Sequence, residues 1–146
     1  MDVVAMIIAA VLAIVLLAIG IAHLLWSVGI LWPIRNEQLL AQTVVGRAGM
    51  DRMPPRYLSF GVALLTLGAC VVAFSVADPV AGGAWLTLLA LLAAVVFLGR
   101  GTVGFTQSWA AKTPVEPFRS LDRKNYSPLC LVVGVGFLIL VVMRLI

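Results

Sequence analysis

The sequence predicts an all-α membrane protein: a bundle of four transmembrane helices, with both termini outside and two longer loops in the cytoplasm. Three observations carry this. Hydrophobic residues make up 63% of the 146-residue chain and charged residues only 11%, against about 25% charged in a soluble domain. Four apolar runs, at 3–32, 57–77, 83–105 and 129–146, each come close to the roughly 20 residues that cross a bilayer. The basic residues gather in two of the connections, which sets the orientation. The runs leave no room for a separate soluble domain. The chain therefore reads as one domain, 1–146, with helices over about 3–32, 57–77, 83–107 and 127–146.

The first helix opens on an almost uncharged N-terminus, with Asp2 as its only ionisable side chain. A signal peptide has a positive n-region and an apolar core of about 7–15 residues. This run is far longer and lacks the positive start, so it reads as a retained helix. At about 30 residues it spans about 45 Å if straight, against a core of about 30 Å, so it must tilt or project. Its last third reads "AHLLWSVGILWP". Trp26 and Trp32 suit an interface, and Pro33 disfavours helix just before it.

The first loop carries Arg35, Arg47, Arg52 and Arg56, and the third carries Lys112, Arg119, Arg123 and Lys124. The short "ADPVAGG" turn between them has no basic residue, and Arg144 stands at the far C-terminus. Positive-inside bias thus puts both longer loops in the cytoplasm. Within the first loop, residues 36–45 read as a short or interfacial helix, closed by Pro54 and Pro55. In the third, Pro114 and Pro117 keep the chain extended. Ser127 and Pro128 then look like the N-cap and first position of the last helix.

Small residues line several helix faces: Ala5, Ala9 and Ala13; Ser59, Ala63, Thr66 and Cys70; Ala69, Ala73 and Ala77. Such stripes usually mean close helix packing. Cys70 and Cys130 form no CxxC pair and fall at different depths, so buried free thiols are expected. All six acidic residues lie outside the apolar runs, which argues against a proton-coupled carboxylate in mid-membrane. No metal-ligand set, phosphate loop or nucleophile elbow is present. No metal, no cofactor and no nucleic-acid partner is expected, and no catalytic residue can be assigned.

Two polar groups nevertheless lie within the apolar runs. His23 is ten residues before Pro33, and Arg100 is nine before Trp109, so the two share a depth on helices that both run inward. A charged group in the apolar zone costs at least about 2.5–3.5 kcal/mol on insertion scales. Gly20, His23 and Ser27 share one helical face, and Arg100, Gly104 and Gln107 another.

"HLLWSVGILWP", "TVVG", an arginine late in the third helix and "FRSLDRKNYSPLCL" together resemble a family of small bacterial four-helix integral membrane proteins catalogued as a domain of unknown function. The resemblance covers essentially the whole chain and implies a place in the plasma (inner) membrane. It points to His23, Trp26, Trp32, Pro33, Gly46, Arg100, Phe118, Leu121, Asp122, Arg123, Tyr126, Pro128 and Cys130. The glycine-rich "GRGTVGF" around Arg100 departs from the pattern, where bulkier apolar residues are expected.

Two readings stay open. In the first, His23, Trp26, Ser27 and Arg100 line a cleft on the cytoplasmic side, capped by Asp122 and Tyr126. Arg100 then holds a small anionic or lipid-like ligand, and His23, with an ordinary pKa of about 6.5, donates a hydrogen bond or carries a proton. In the second, the protein is structural or accessory and takes no ligand. Asp122 then pairs with Arg100 or Arg123 to fix the third loop against the bundle. An oligomeric anion channel ranks last, since the stretch from Val3 to Ile19 offers no polar path. The lipid bilayer is the expected partner, and so small a bundle makes a homo-oligomer a candidate as well.

Overall fold

A computed structural model describes residues 2–146, and every regular element among them is helical. In chain order these are α1 (Val3–Ser27), α2 (Glu37–Val44), α3 (Arg56–Ala77), α4 (Ala84–Val103), α5 (Gln107–Lys112) and α6 (Phe118–Leu145). α1, α3, α4 and α6 are long and apolar enough to cross a membrane. This is a multi-pass membrane protein by the length and composition of its helices.

α1 starts where Asp2 accepts a hydrogen bond from the Val4 N–H at 2.9 Å. It stops at Ser27, five residues before the expected end. Gly29 takes φ +86°, a left-handed turn that glycine enters without penalty. Ile30 N–H then reaches back to the Leu25 carbonyl at 2.9 Å, and Gly29 N–H to that of Trp26 at 3.1 Å. This is the Schellman closure of a helix. The apolar "VGILW" beyond it is therefore not membrane helix. The third span also ends early, at Val103. Thr106 caps a separate short helix, α5, through the Trp109 N–H at 3.2 Å.

The last helix begins nine residues before the expected start. Ser127 is no N-cap: it sits in helical backbone within a continuous helix. Residues Asp122–Tyr126 are wound as a π-turn, with Ser127 N–H bonded to the Asp122 carbonyl. Proline lacks an N–H and its ring crowds the carbonyl four residues back. The wider turn just ahead of Pro128 accommodates both, which is how a helix-start signature came to lie inside a helix.

α1 packs along α3, and α4 along α6, with lighter contacts across the two pairs. The small stripes are the seams. Ala5, Ala9, Ala13, Ala63, Ala73 and Ala77 are buried, as are Ser59, Thr66 and Cys70. α4 and α6 interlock reciprocally: a Cβ on Gly101 would lie 2.7 Å from the Leu131 side chain, and one on Gly134 would lie 2.6 Å from Leu98. The glycine-rich departure around Arg100 is thus a close-approach surface. Leu12, Leu16, Val133, Phe137 and Leu140 fill the centre, whereas Val11, Leu65, Val95 and Val132 face outward, as a lipid-solvated bundle requires.

One end of the bundle carries the short turn between α3 and α4. There the Arg144 guanidinium gathers the carbonyls of that turn and, at longer range, two from the last turn of α3. It donates to Asp78 at 2.7 Å, Ala81 at 2.6 Å and Gly82 at 2.9 Å, and more weakly to Ser75 and Val76. Hydrogen bonds from a charged group are worth about 1.5–3 kcal/mol. Arg144→Gln should therefore lower unfolding stability in detergent by about that much, and Arg144→Lys should restore little, because an ammonium lacks the planar fork. A stability unchanged within error in Arg144→Gln would contradict this role.

Candidate functional site

The two longer loops meet at the other end. Asn36 caps α2 through the Leu39 N–H at 2.9 Å, and α2 lies against the start of α6. Val115 N–H donates to the Gly46 carbonyl at 3.1 Å, and the Tyr126 hydroxyl donates to that of Thr43 at 3.3 Å. Phe118 is buried beneath, its ring 5.8 Å from that of Tyr126. The loops therefore form a folded layer across the bundle end.

Under this layer sits the one ion pair among the described residues. Arg100 Nη2 donates to Asp122 Oδ1 at 2.6 Å. Asp122 is 2% exposed and takes two more donors, the Trp109 indole N–H at 2.8 Å and the Ser127 hydroxyl at 3.1 Å. Arg100 also donates to the Ser127 hydroxyl at 3.3 Å, and its guanidinium stands 4.9 Å from the centre of the Trp109 ring, within cation–π range. The π-turn makes this possible. Asp122 and Ser127 are five residues apart and would point apart on an α-helix, but i→i+5 winding stacks them. Gly104 completes the fit, since a Cβ there would collide with the Ser127 hydroxyl.

This is a closed network. No buried side-chain nitrogen or oxygen among the described residues lacks a hydrogen-bond partner. Ser127 is fully buried, so its hydroxyl faces the carboxylate where no substrate reaches it. No cluster of metal-ligating residues occurs among the described residues.

His23, Trp26 and Ser27 lie elsewhere. His23 shares a 2.9 Å hydrogen bond with the Ile19 carbonyl and tilts against Trp26, ring centres 4.7 Å apart. Trp26 donates to the Trp32 carbonyl at 2.7 Å, and Ser27 to that of Leu24 at 2.6 Å. No hydrogen bond or ion pair joins His23 to Arg100 among the described residues. α1 packs chiefly on α3, and α4 on α6. Equal depth fixes height along the bundle normal but not direction around it. Gly20, one turn below His23, faces Leu67 and Thr66 of α3.

Of the six expected site residues, the structure brings Arg100 and Asp122 together, and separately His23 and Trp26. Tyr126 reaches α2, and Ser27 bonds only its own helix. Trp109 and Ser127 were not anticipated as partners of Arg100. Only the glycine at position 104 signalled a close approach there. Asp122, outside every apolar run, is nonetheless buried on a membrane-length helix.

A cavity of about 300 Å³ opens between the end of α1 and the start of α3, lined by Trp26, Gly29, Leu31, Glu37, Pro55 and Arg56 among others. Comparison with curated proteins and with solved structures finds no match. A family model matches residues 14–137, which includes both polar clusters and most of all four long helices. On that match the chain belongs to the family described as protein of unknown function DUF3995.

Proposed function

We propose that this is a multi-pass protein of the bacterial inner membrane, with both longer loops in the cytoplasm and both termini outside, that binds a small anionic or lipid-like ligand on the loop side. Charge distribution carries the reading. Arg35, Arg47, Arg52, Arg56, Lys112, Arg119, Arg123 and Lys124 all surround the loop layer, and all are exposed. None is ion-paired, since the pair among the described residues belongs to Arg100. Such a rim faces anionic head groups or anionic solutes, each cation near a membrane surface adding about 1 kcal/mol. The opposite end carries Asp2, Asp78 and Arg144, and Arg144 is spent on carbonyls.

The role first expected of Arg100 changes. Asp122 already occupies its guanidinium, so the ligand meets the loop layer and its cleft, while the Arg100–Asp122 pair holds that layer in place. The same pair favours the second reading, a structural or accessory protein without ligand. Two measurements separate them. Single cysteines at Arg47 and Val80, in a chain with Cys70 and Cys130 replaced by alanine, should react with an impermeant thiol reagent from opposite sides, Val80 from outside. Native mass spectrometry in mild detergent should show a retained lipid or metabolite. Inverted labelling would overturn the orientation, and a bare protein would favour the accessory reading.

A further inference from the structure

The cleft between α1 and α3 holds two opposite charges that do not touch. Arg56 and Glu37 both line it, yet the ion pair among the described residues is Arg100–Asp122. Only Glu37 is tied to the backbone around it. The Arg56 guanidinium lies over Gly29, where a Cβ would sit 2.6 Å from Nη2. Only a residue without a side chain leaves it that place. Glu37 Oε1 accepts the Met53 N–H at 3.2 Å, and its position in the first turn of α2 favours a negative charge. Oε2 has no hydrogen-bond partner among the described residues, and neither has the Arg56 guanidinium. Two flexible, oppositely charged side chains in one cleft would ordinarily gain by pairing. These line the same cleft unpaired, and the cleft encloses about 300 Å³, at the lower end of ligand-site volumes.

We propose that this cleft receives a zwitterionic group in which a phosphate and a primary ammonium are a short linker apart, the phosphate on Arg56 and the ammonium on Glu37. Guanidinium matches phosphate geometry through paired N–H donors. A carboxylate oxygen accepts from an ammonium but repels a second anion, which selects against ligands that carry only negative charge. Trp26 forms one wall, and the exposed Trp32 lies just beyond the end of α1. Aromatic rings of this kind mark head-group depth. The group is therefore that of a membrane phospholipid or of the free phosphoamine. This proposal rests on the loop-side, lipid-like reading above and narrows its ligand.

The test measures binding of short-chain phosphatidylethanolamine, phosphatidylglycerol and phosphatidylcholine with identical chains, and of free phosphoethanolamine, to the full chain in detergent. Wild type should prefer the ethanolamine lipid over the glycerol lipid by about tenfold or more, the size of one charge-assisted hydrogen bond. Phosphatidylcholine, which has no N–H to donate, should lose most of that preference. Glu37→Gln keeps an oxygen for the Met53 N–H and should erase the discrimination without loss of fold. Arg56→Gln should weaken every phosphate-bearing ligand about tenfold. Binding of phosphoethanolamine as tight as that of the lipid would assign the free molecule; much weaker binding would assign the lipid. Equal affinities in wild type, or discrimination that survives Glu37→Gln in folded protein, would overturn the proposal. If anionic lipid is still retained without discrimination, the cleft alone fails. If no lipid or metabolite is retained at all, the broader reading fails with it.

Discussion

Arg100→Gln destabilises this protein by about 3–5 kcal/mol, the cost of stranding one partner of a buried ion pair. The asymmetry between the partners sharpens the expectation. The Asp122 side chain is 3% exposed and that of Arg100 is 32% exposed. Without Arg100, the carboxylate keeps only Trp109 and Ser127 as donors, and water does not reach it. Without the carboxylate charge, Arg100 turns its partly exposed guanidinium toward the head groups, as long basic side chains near an interface do. Asp122→Asn also retains an oxygen for the surrounding donors. It should therefore cost no more than about half as much as Arg100→Gln. The double variant should recover much of the loss, because replacing both members of such a pair is far less costly than breaking it. Reversible unfolding in mixed detergent, read as a double-mutant cycle, measures all four proteins. An Asp122→Asn cost equal to or above that of Arg100→Gln would refute the asymmetry, and additive effects would refute the pairing.

Gly46→Ala lowers stability by about 2–5 kcal/mol. Gly46 holds φ +69°, and an L side chain in left-handed backbone costs about 1–2 kcal/mol. The new Cβ would also overlap the Cβ, Cγ and Cδ1 of Phe118. Phe118 is buried, so relief by repacking costs a further 1–3 kcal/mol, about the usual penalty for overfilling. Gly49 separates the two contributions. Its φ is +71°, but a Cβ there meets nothing. Gly49→Ala should show the backbone strain alone. Hydrogen exchange locates the effect: Gly46→Ala should speed exchange at Val115, whose N–H bonds the Gly46 carbonyl, and leave the α1–α3 seam protected. Equal losses in the two variants would show that Phe118 imposes no constraint.

Periodicity and composition were enough for the spans and their seams. Hydropathy marks four stretches because lipid tolerates no other surface over that length. The alanine and Ser–Thr–Cys stripes mark packing faces because close approach needs small side chains. Helix ends were harder. Hydropathy extended α1 to Trp32, but a left-handed glycine at 29 closes it at Ser27. Ser127–Pro128 reads locally as a helix start, but the π-turn carries the helix through it from Phe118. In both cases backbone winding outweighed a local side-chain signal.

The candidate site divides along the same line. Depth is a property of sequence, since each residue in a helix advances a fixed rise, and it put His23 and Arg100 at one level. Which side chains touch is set by the azimuth of each helix and by which helices pair, and both depend on contacts far apart in the chain. From sequence alone came the membrane-spanning class, the seams and the basic rim, because these depend on composition and period. Only the tertiary structure could choose Arg100 over Arg123 for Asp122, add Trp109 and Ser127 to that pair, and set Arg56 and Glu37 unpaired in one cleft. The packing of α4 on α6, and of the loops on each other, decides where those charges end.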